Sequence, residues 1–337
     1  MKKLLVLASL IAFGSLADAQ TLRIATVTPE NSQWMKDMRA SAKEIKERTD
    51  GRVKIKYYGG GAMGNDKQVL AKIRLGSLAG GAFTPLALAS RYPDLNLYGL
   101  PLVFNSEEEA AYVRAQLDER LEQGLEDKGF VNFGFAAGGF AVLMSNTPIT
   151  SLEDMKGKRV WVPEGDPISY ASMEALSLAP VTLPVTDVLT GLQTGLIDVV
   201  AMSPIGALVL QWHTKIKYVS ELPLAYTLGF MAVDQKAFKK LSDADQAIVQ
   251  EVMRATYDNF NVQNLVDNRA ARDSLLSAKT GIKTIEFDRS EFEEVREVLL
   301  ASNRELAEKG EFSLELYDEM LGHIEDYRSQ GGQAASR

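Results

Sequence analysis

The stretch that decides the fold lies near the middle of the chain, where residues 154–163 read DMKGKRVWVP and residues 191–198 read GLQTGLID. Around these two phrases, short β-branched segments typical of strands alternate with longer segments whose apolar residues recur at helical spacing. The strands centre on Val160, Val181 and Val199, and the helices cover residues 168–178 and 185–194. Alternation of this kind predicts an α/β fold with mainly parallel sheets.

The N-terminal part of the chain shows the same alternation. Between two predicted strands, Trp34, Met38, Ala42 and Ile45 recur at the spacing of one helix face. The strands of this part are expected at residues 22–27, 53–58 and 78–83. Because the pattern restarts after Asn146, and because 337 residues exceed what one hydrophobic core usually holds, the sequence predicts two domains.

A segment without glycine or proline, residues 242–280, is a further organising feature. It begins with Ser-Asp-Ala-Asp, which is a typical start of a helix. Its apolar residues keep no strict heptad, which argues against a coiled coil. We therefore predict one long helix that packs along both domains as a spine.

Residues 1–19 have the pattern of a removable secretory signal. A basic start precedes an apolar run over residues 4–16, and residues 17–19 (ADA) fit the small-x-small cleavage motif. The run is too short to span a bilayer, which disfavours the competing interpretation of a membrane anchor. The sequence therefore predicts a periplasmic protein with cleavage near Ala19.

Composition and motifs exclude several kinds of site. The chain has no cysteine, which excludes a lipidated anchor, disulfides and thiolate metal sites. Its formal charge of −8 repels phosphate backbones, so nucleic acid is not an expected partner. GGGAMG at residues 59–64 matches a dinucleotide-binding pattern but lacks the acidic residue about 20 positions later. His213 and His323 have no metal-ligand spacing. We expect no enzyme, no cofactor and no metal.

Five further phrases recur in the order of a known family. They are GRV at residues 51–53, MGND at 63–66, GSL at 76–78, LPLVF at 100–104 and AFKKLS at 237–242. Together with the two central phrases, they resemble the periplasmic solute-binding proteins of tripartite ATP-independent periplasmic (TRAP) transporters, the DctP-like family, over nearly the whole mature chain. The resemblance implies a two-lobed periplasmic binding protein fold with crossing strands, a long spine helix and a ligand enclosed between the lobes.

The resemblance also implies boundaries and partners. We expect lobe I at residues 20–140 and 227–270, lobe II at residues 141–226 and 271–330, and a disordered tail at residues 331–337. The implied partners are a small-molecule ligand and the small and large membrane subunits of a TRAP transporter. We expect the binding protein to be a monomer.

Three positions depart from what the resemblance implies. Most members place an arginine on the strand after the D-x-K-G phrase, where it pairs with a substrate carboxylate, and here that position holds Trp161. Ala141 occupies the position of a second frequent arginine, and Ser203 replaces a frequent asparagine before a proline. Without this anion clamp, the sequence predicts an uncharged or hydrophobic ligand that packs on the indole.

The other candidate ligand-binding residues come from both lobes. We expect Thr28 and Asn31 to face the cleft from lobe I, and Glu164 to accept a hydrogen bond from a ligand hydroxyl or amine in lobe II. Side chains at strand or loop ends are expected to extend the apolar lining: Phe83, Phe140, Met202 and Tyr226.

Several alternatives stay open. Arg159 lies two residues before Trp161, on the same face of an extended strand, where it would restore a pocket for a small organic acid. In lacking the arginine, the sequence also resembles a subset of the family. Members of that subset work with a periplasmic tetratricopeptide-repeat partner and handle hydrophobic cargo. A ligand-sensing module would use the same closure, whereas a periplasmic enzyme would require clustered titratable groups in the cleft.

Overall fold

The computed structural model describes residues 19–331 of the chain. The predicted signal at residues 1–19 and the predicted tail at residues 331–337 lie outside this range, except for Ala19 and Gly331, and both stay predictions. Within the described range, no helix combines the length and the apolar character needed to cross a membrane.

Strands and helices alternate along the described residues, as the sequence predicts. The strands are β1 Gln20–Thr26, β2 Val53–Tyr58, β3 Gly80–Phe83, β4 Phe130–Ser145, β5 Val160–Pro163, β6 Pro180–Leu183, β7 Val199–Met202, β8 Tyr218–Ser220, β9 Ala225–Asp234 and β10 Lys283–Ile285. The helices are α1 Gln33–Arg48, α2 Asp66–Arg74, α3 Leu86–Ala89, α4 Glu107–Asp127, α5 Leu152–Met155, α6 Pro167–Ala175, α7 Val188–Thr194, α8 Pro204–Val209, α9 Gln235–Phe238, α10 Asp243–Leu275, α11 Arg289–Glu308 and α12 Leu314–Ser329. Short 3₁₀ turns cover Pro93–Gly99, Val185–Asp187 and Trp212–Lys215.

The strands form a sheet that two lobes share. Its order is β2-β1-β3-β9-β4-β7-β5-β6, and β8 pairs with both β4 and β10. Among residues 19–331, five strand pairings are parallel, and the four antiparallel ones all involve β4 or β9. We call lobe I the part built on β1, β2, β3, β9 and most of β4, and lobe II the part built on β5 to β8, β10 and the end of β4. The predicted two-lobed α/β fold is confirmed.

Strand β4 crosses between the lobes. It pairs with β9 as far as Ala141 and with β7 from Val142 onward, and its register against β9 shifts twice on the way. At the second shift, Gly139 has a φ of +77°, a left-handed conformation that glycine adopts without steric cost. A Cβ at this position would also lie 2.5 Å from the side-chain nitrogen of Asn268. The crossing therefore requires glycine.

The predicted spine is helix α10, which has 33 residues and a length of about 50 Å. It begins after Ser242, whose hydroxyl accepts the N–H of Asp245 at 3.2 Å. The Asp245 carboxylate is buried and accepts a hydrogen bond from the Arg52 guanidinium of lobe I at 2.9 Å. This pairing lowers the pKa of Asp245, because the cation favours the charged carboxylate. The start of the spine is thereby fixed to lobe I.

Asparagines of α10 bind the irregular part of β4. The Asn261 amide donates to the Phe135 carbonyl at 2.9 Å and accepts the Ala137 N–H at 2.8 Å. Three residues later on α10, the side-chain amide of Asn264 donates to the Ala137 carbonyl at 2.7 Å. These side chains supply hydrogen bonds to backbone groups in a stretch where the register shifts interrupt the strand ladder.

The same row of amides connects α10 to both lobes. The Asn264 side-chain oxygen accepts the indole N–H of Trp34, in α1 of lobe I, at 2.7 Å. The Asn268 amide donates to the Gly138 carbonyl at 2.8 Å and accepts the N–H of Ile205, in α8 of lobe II, at 3.2 Å. Both asparagines are buried. The spine is therefore bonded to the crossing strand and to each lobe within two helical turns.

The last helix changes our proposed division of the lobes. Residues 271–330 are predicted in lobe II, but α12 packs on α4, and its Arg328 donates to the buried carboxylate of Glu109 at 2.6 Å. The buried face of α12 joins the core of lobe I through Leu316, Tyr317, Met320 and Ile324. We therefore assign α12 to lobe I. The remaining boundaries stay predictions.

The asparagine row yields a prediction on stability. Replacing Asn264→Leu keeps the size of the side chain but leaves the Ala137 carbonyl and the Trp34 indole N–H without their partner. We expect the free energy of unfolding to fall by about 2–4 kcal/mol, because each buried polar group left unpaired costs about 1–3 kcal/mol. Equilibrium unfolding in urea measures the change.

The matched control is Val262→Ala on the exposed face of the same helix, where Val262 is 67% exposed. We expect this change to stay within about 0.5 kcal/mol of the unmodified protein. An Asn264→Leu variant as stable as the control would contradict the structural role of the row.

Candidate ligand-binding site between the lobes

A cavity of about 430 Å³ lies between the two lobes. Its volume falls within the range of small-molecule sites. Lobe I contributes the first turn of α2 and residues 225–228 of β9, and lobe II contributes β5, α6 and residues 184–186. Helix α11 closes the side of the cavity that lies within lobe II. Most of the lining side chains are apolar.

Trp161 belongs both to the cavity wall and to the core of lobe II. Its side chain is buried, and its indole N–H donates to the Leu183 carbonyl at 2.9 Å. The ring meets Trp212 edge to face, with centroids 5.2 Å apart, a favourable arrangement for two aromatic rings. The indole is thus held in one orientation and presents apolar surface to the cavity.

One cation and three carboxyl groups line the cavity among the described residues. Lys67, in the first turn of α2, binds Glu164 of lobe II across the cleft, with an N–O distance of 2.7 Å. Asp66 and Asp166 are the other two carboxyl groups, and burial raises the pKa of each. The lining therefore has a formal excess of negative charge, and its single lysine is already paired.

Tyr226 and Met202 also line the cavity, as the sequence predicts for their positions. Tyr226 is buried and meets the Phe140 ring edge to face, with centroids 5.3 Å apart. Burial raises the pKa of its hydroxyl, which the nearby Arg114 partly opposes. Their role in binding a ligand stays a prediction.

Thr28 and Asn31 do not line the cavity. The Thr28 hydroxyl accepts a hydrogen bond from Thr26 at 2.9 Å, and its carbonyl accepts the Gly60 N–H at 2.8 Å. Asn31 is exposed in the turn before α1. Thr28 therefore fixes the glycine-rich turn after β2, where Gly60 has a φ of +61°. This turn explains the GGGAMG phrase without a nucleotide.

Phe83, Phe140 and Ser203 also lie outside the lining. In each case the neighbouring residue lines the cavity instead, namely Thr84, Ala141 and Met202. Phe83 is buried in the core of lobe I, and Ser203 caps α8 by accepting the Gly206 N–H at 3.4 Å.

Arg159 does not reach the cavity. Its guanidinium binds both carboxylate oxygens of Asp198, each at 2.7 Å, and this pair raises the pKa of Arg159 while lowering that of Asp198. Strand β5 begins only at Val160, so the alternation of strand side chains does not extend to Arg159. The side chain is half exposed and lies at the surface of lobe II.

The histidine considered from the sequence as a candidate metal ligand, His213, has a structural contact. His213 lies beside the Ala207 carbonyl, with its Nδ1 3.2 Å from the carbonyl oxygen. Over residues 19–331, no group of three or more metal-ligating side chains stands close enough to hold an ion.

Sequence reasoning missed the contributions of α2 and α11 to the lining. Lys67 lies two residues after the capping residue Asn65, so its position in the first turn of a helix was readable from the sequence. On α11, Phe292, Val295 and Leu299 recur at intervals of three and four residues, which is the signal of one helix face. Nothing in that spacing indicates that the face borders a cavity rather than a core.

Residues 24–309 match the sequence profile of the family described as bacterial extracellular solute-binding protein, family 7 (DctP). The chain belongs to this family. The match spans both lobes and most of the described range. The chain is accordingly a solute-binding protein of a transport system and not an enzyme.

Individual relatives agree with this assignment. The chain is 27% identical over 263 residues to the 2,3-diketo-L-gulonate-binding periplasmic protein YiaO of Escherichia coli, covering 74% of this chain and 77% of that protein. It is 26% identical over 281 residues to the C4-dicarboxylate-binding periplasmic protein DctP of Rhodobacter capsulatus, covering 80% and 81%.

A solved structure shows the same fold. The sugar acid binding protein DctPAm of Advenella mimigardefordensis, in complex with galactonate, superimposes with a TM-score of 0.82 at 21% identity. The match covers 92% of this chain and 99% of that one. TRAP solute-binding proteins of this family are periplasmic, bind small molecules and work with membrane subunits.

The two kinds of contact at the cleft predict different costs on mutation. Trp161→Ala removes a buried indole packed on Trp212, and we expect the free energy of unfolding to fall by about 3–5 kcal/mol. Glu164→Gln removes only an ion pair whose partners are 39% and 68% exposed, and we expect less than about 1 kcal/mol. Guanidinium unfolding curves of both variants check this order, and the reverse order would contradict it.

Proposed function

We propose that the chain is the periplasmic solute-binding component of a TRAP-type transporter and that its ligand is an organic acid with a largely apolar body. The observation that carries the proposal is the lining of the interlobe cavity. Among the described residues, the lining contains one lysine, Lys67, and many apolar side chains, including the fixed indole of Trp161. The relatives that bind organic acids support the acidic group.

The acid would enter the cleft with its carboxylate next to Lys67. Glu164 is the present partner of this ammonium and is 39% exposed, so it can return to solvent when a ligand carboxylate takes its place. The apolar body would then lie on Trp161 and its neighbours. Burial of apolar area is favourable by about 25 cal/mol for each Å² removed from water.

The sequence predicts either an uncharged or hydrophobic ligand or a small organic acid bound by Arg159, and this proposal differs from both. The uncharged ligand finds no support among the relatives, whose names and bound molecules are acids. The acid held by Arg159 lacks its anchor, because that guanidinium is engaged by Asp198 outside the cavity lining. Lys67 replaces Arg159 as the proposed anchor.

An uncharged apolar ligand is the second candidate, and the charge of the lining favours it. Lys67 is already paired with Glu164, and the two other charged side chains of the lining are carboxyl groups. An anion that enters must overcome this excess of negative charge, whereas a neutral molecule need not.

The route of the ligand follows from the two-lobed architecture. Lys67 and Glu164 lie on opposite sides of the cleft, so a ligand that separates them also changes the contact between the lobes. Closure around the ligand would select the form that docks on the membrane subunits. Export by the signal at residues 1–19, a monomeric state and a tetratricopeptide-repeat partner remain parts of the proposal.

Octanoate, octanol and succinate separate the ligand classes in isothermal titration calorimetry. We expect octanoate to bind at least tenfold more tightly than either of the others. Lys67→Met should weaken octanoate binding by about 10–100-fold, because a hydrogen bond to a charged group contributes about 1.5–3 kcal/mol. Lys67→Arg should retain most of the affinity.

Lys54→Met makes the same change of charge on the exposed edge strand β2, and we expect it to leave octanoate binding unchanged. If octanol binds as well as octanoate, the uncharged ligand is correct. If succinate alone binds, the apolar body is excluded.

A further inference from the structure

The lining of the interlobe cavity includes a group of apolar residues that belong to lobe II. There the cavity is enclosed by α6, α11 and the segments around β5. We call this part the α6–α11 chamber and define it by the lining residues Met155, Met173, Leu176, Leu178, Phe292 and Val295. These residues line the same cavity as Trp161 and Lys67, and Met155 and Leu178 also belong to a small apolar core of lobe II.

The side chains that define the chamber are all apolar. The nearby hydroxyl groups are occupied within the protein, since Ser169 donates to Asp166 at 2.5 Å and Ser172 donates to the Ile168 carbonyl at 2.8 Å. A hydroxyl-rich ligand placed here would leave its polar groups without partners, which is unfavourable. Apolar cavities of this kind favour apolar occupants over water.

Helix α11 forms one side of the chamber. Phe292 and Val295 are only half buried, whereas Leu299 further along the helix is buried. The first turn of α11 is held to lobe II because Glu291 accepts the N–H of Leu152 at 2.8 Å. The apolar side chains of Phe292 and Val295 are therefore only partly covered by the rest of the protein.

We propose that the ligand is an elongated amphiphile, a monocarboxylate with a straight apolar chain that fills the α6–α11 chamber. This inference rests on the proposed function, because it takes Lys67 as the site of the carboxylate. Lys67 would hold the carboxylate end of the molecule, and the apolar part of the lining would accept the other end. The chamber then sets the length of the chain that binds best.

A series of saturated straight-chain carboxylates from butanoate to tetradecanoate tests the chamber by calorimetry. We expect affinity to rise about fourfold with each methylene that becomes buried and to level off when the chamber is full. Val295→Phe fills the chamber, so the plateau should move to shorter chains and the longest acids should lose at least tenfold in affinity. Butanoate should bind as before.

Val298→Phe is the matched control, since Val298 lies three residues further on the same helix and is 41% exposed. We expect it to leave the whole series unchanged. Leu176→Phe fills the chamber from α6 and replaces Val295→Phe if that variant does not fold, as judged by its circular dichroism spectrum.

The outcomes separate this inference from the proposed function. If short carboxylates bind through Lys67 but affinity does not rise with chain length, the chamber is not part of the site, and of the proposed function the acid-binding role stands while the apolar body fails. If no carboxylate of the series binds, both fail. If affinity rises with length and Val295→Phe does not shorten the plateau, the chain lies elsewhere and the chamber is overturned.

Discussion

The hydrogen bonds between the α10 asparagines and β4 are the constraint on which the rest of the structure depends. A strand that passes from one lobe to the other must break its regular ladder, and β4 does so near Gly139. Asn264 and Asn268 bind the backbone at this break and at the same time reach Trp34 in lobe I and Ile205 in lobe II. Helix α10 therefore holds both lobes beside the point where β4 crosses between them, and the cavity lies between the lobes.

The cavity combines a rigid apolar wall with a weak polar contact. Trp161 is fixed by Leu183 and Trp212. Its side chain therefore loses no conformational entropy when a ligand binds. The ion pair between Lys67 and Glu164 is exposed and contributes little to stability. Under the proposed function, affinity would come mainly from apolar area, and Lys67 would select the head group. This division distinguishes the site from one in which a buried guanidinium holds a small acid.

Much of the fold could be predicted from the sequence, because periodicity and capping act locally. The spine is an example, since a run without glycine or proline after Ser242 leaves few alternatives to a helix. The site could be predicted less well. Phe83, Phe140 and Ser203 each lie one residue away from a lining position, a difference that sequence spacing does not resolve. The wall from α11 depends on packing between elements distant in sequence, which spacing within one helix does not reveal.

Helix α11 spans about 30 Å and is anchored at both ends to different bodies. Glu291, in its first turn, binds Leu152 of lobe II, and Asn303, near its end, donates to the Pro101 carbonyl at 3.1 Å in lobe I. A rod joined in this way cannot tilt at one end without displacing the other. A displacement of Phe292 by an occupant of the cavity would therefore be carried along α11 to the buried contact between Asn303 and Pro101 in lobe I.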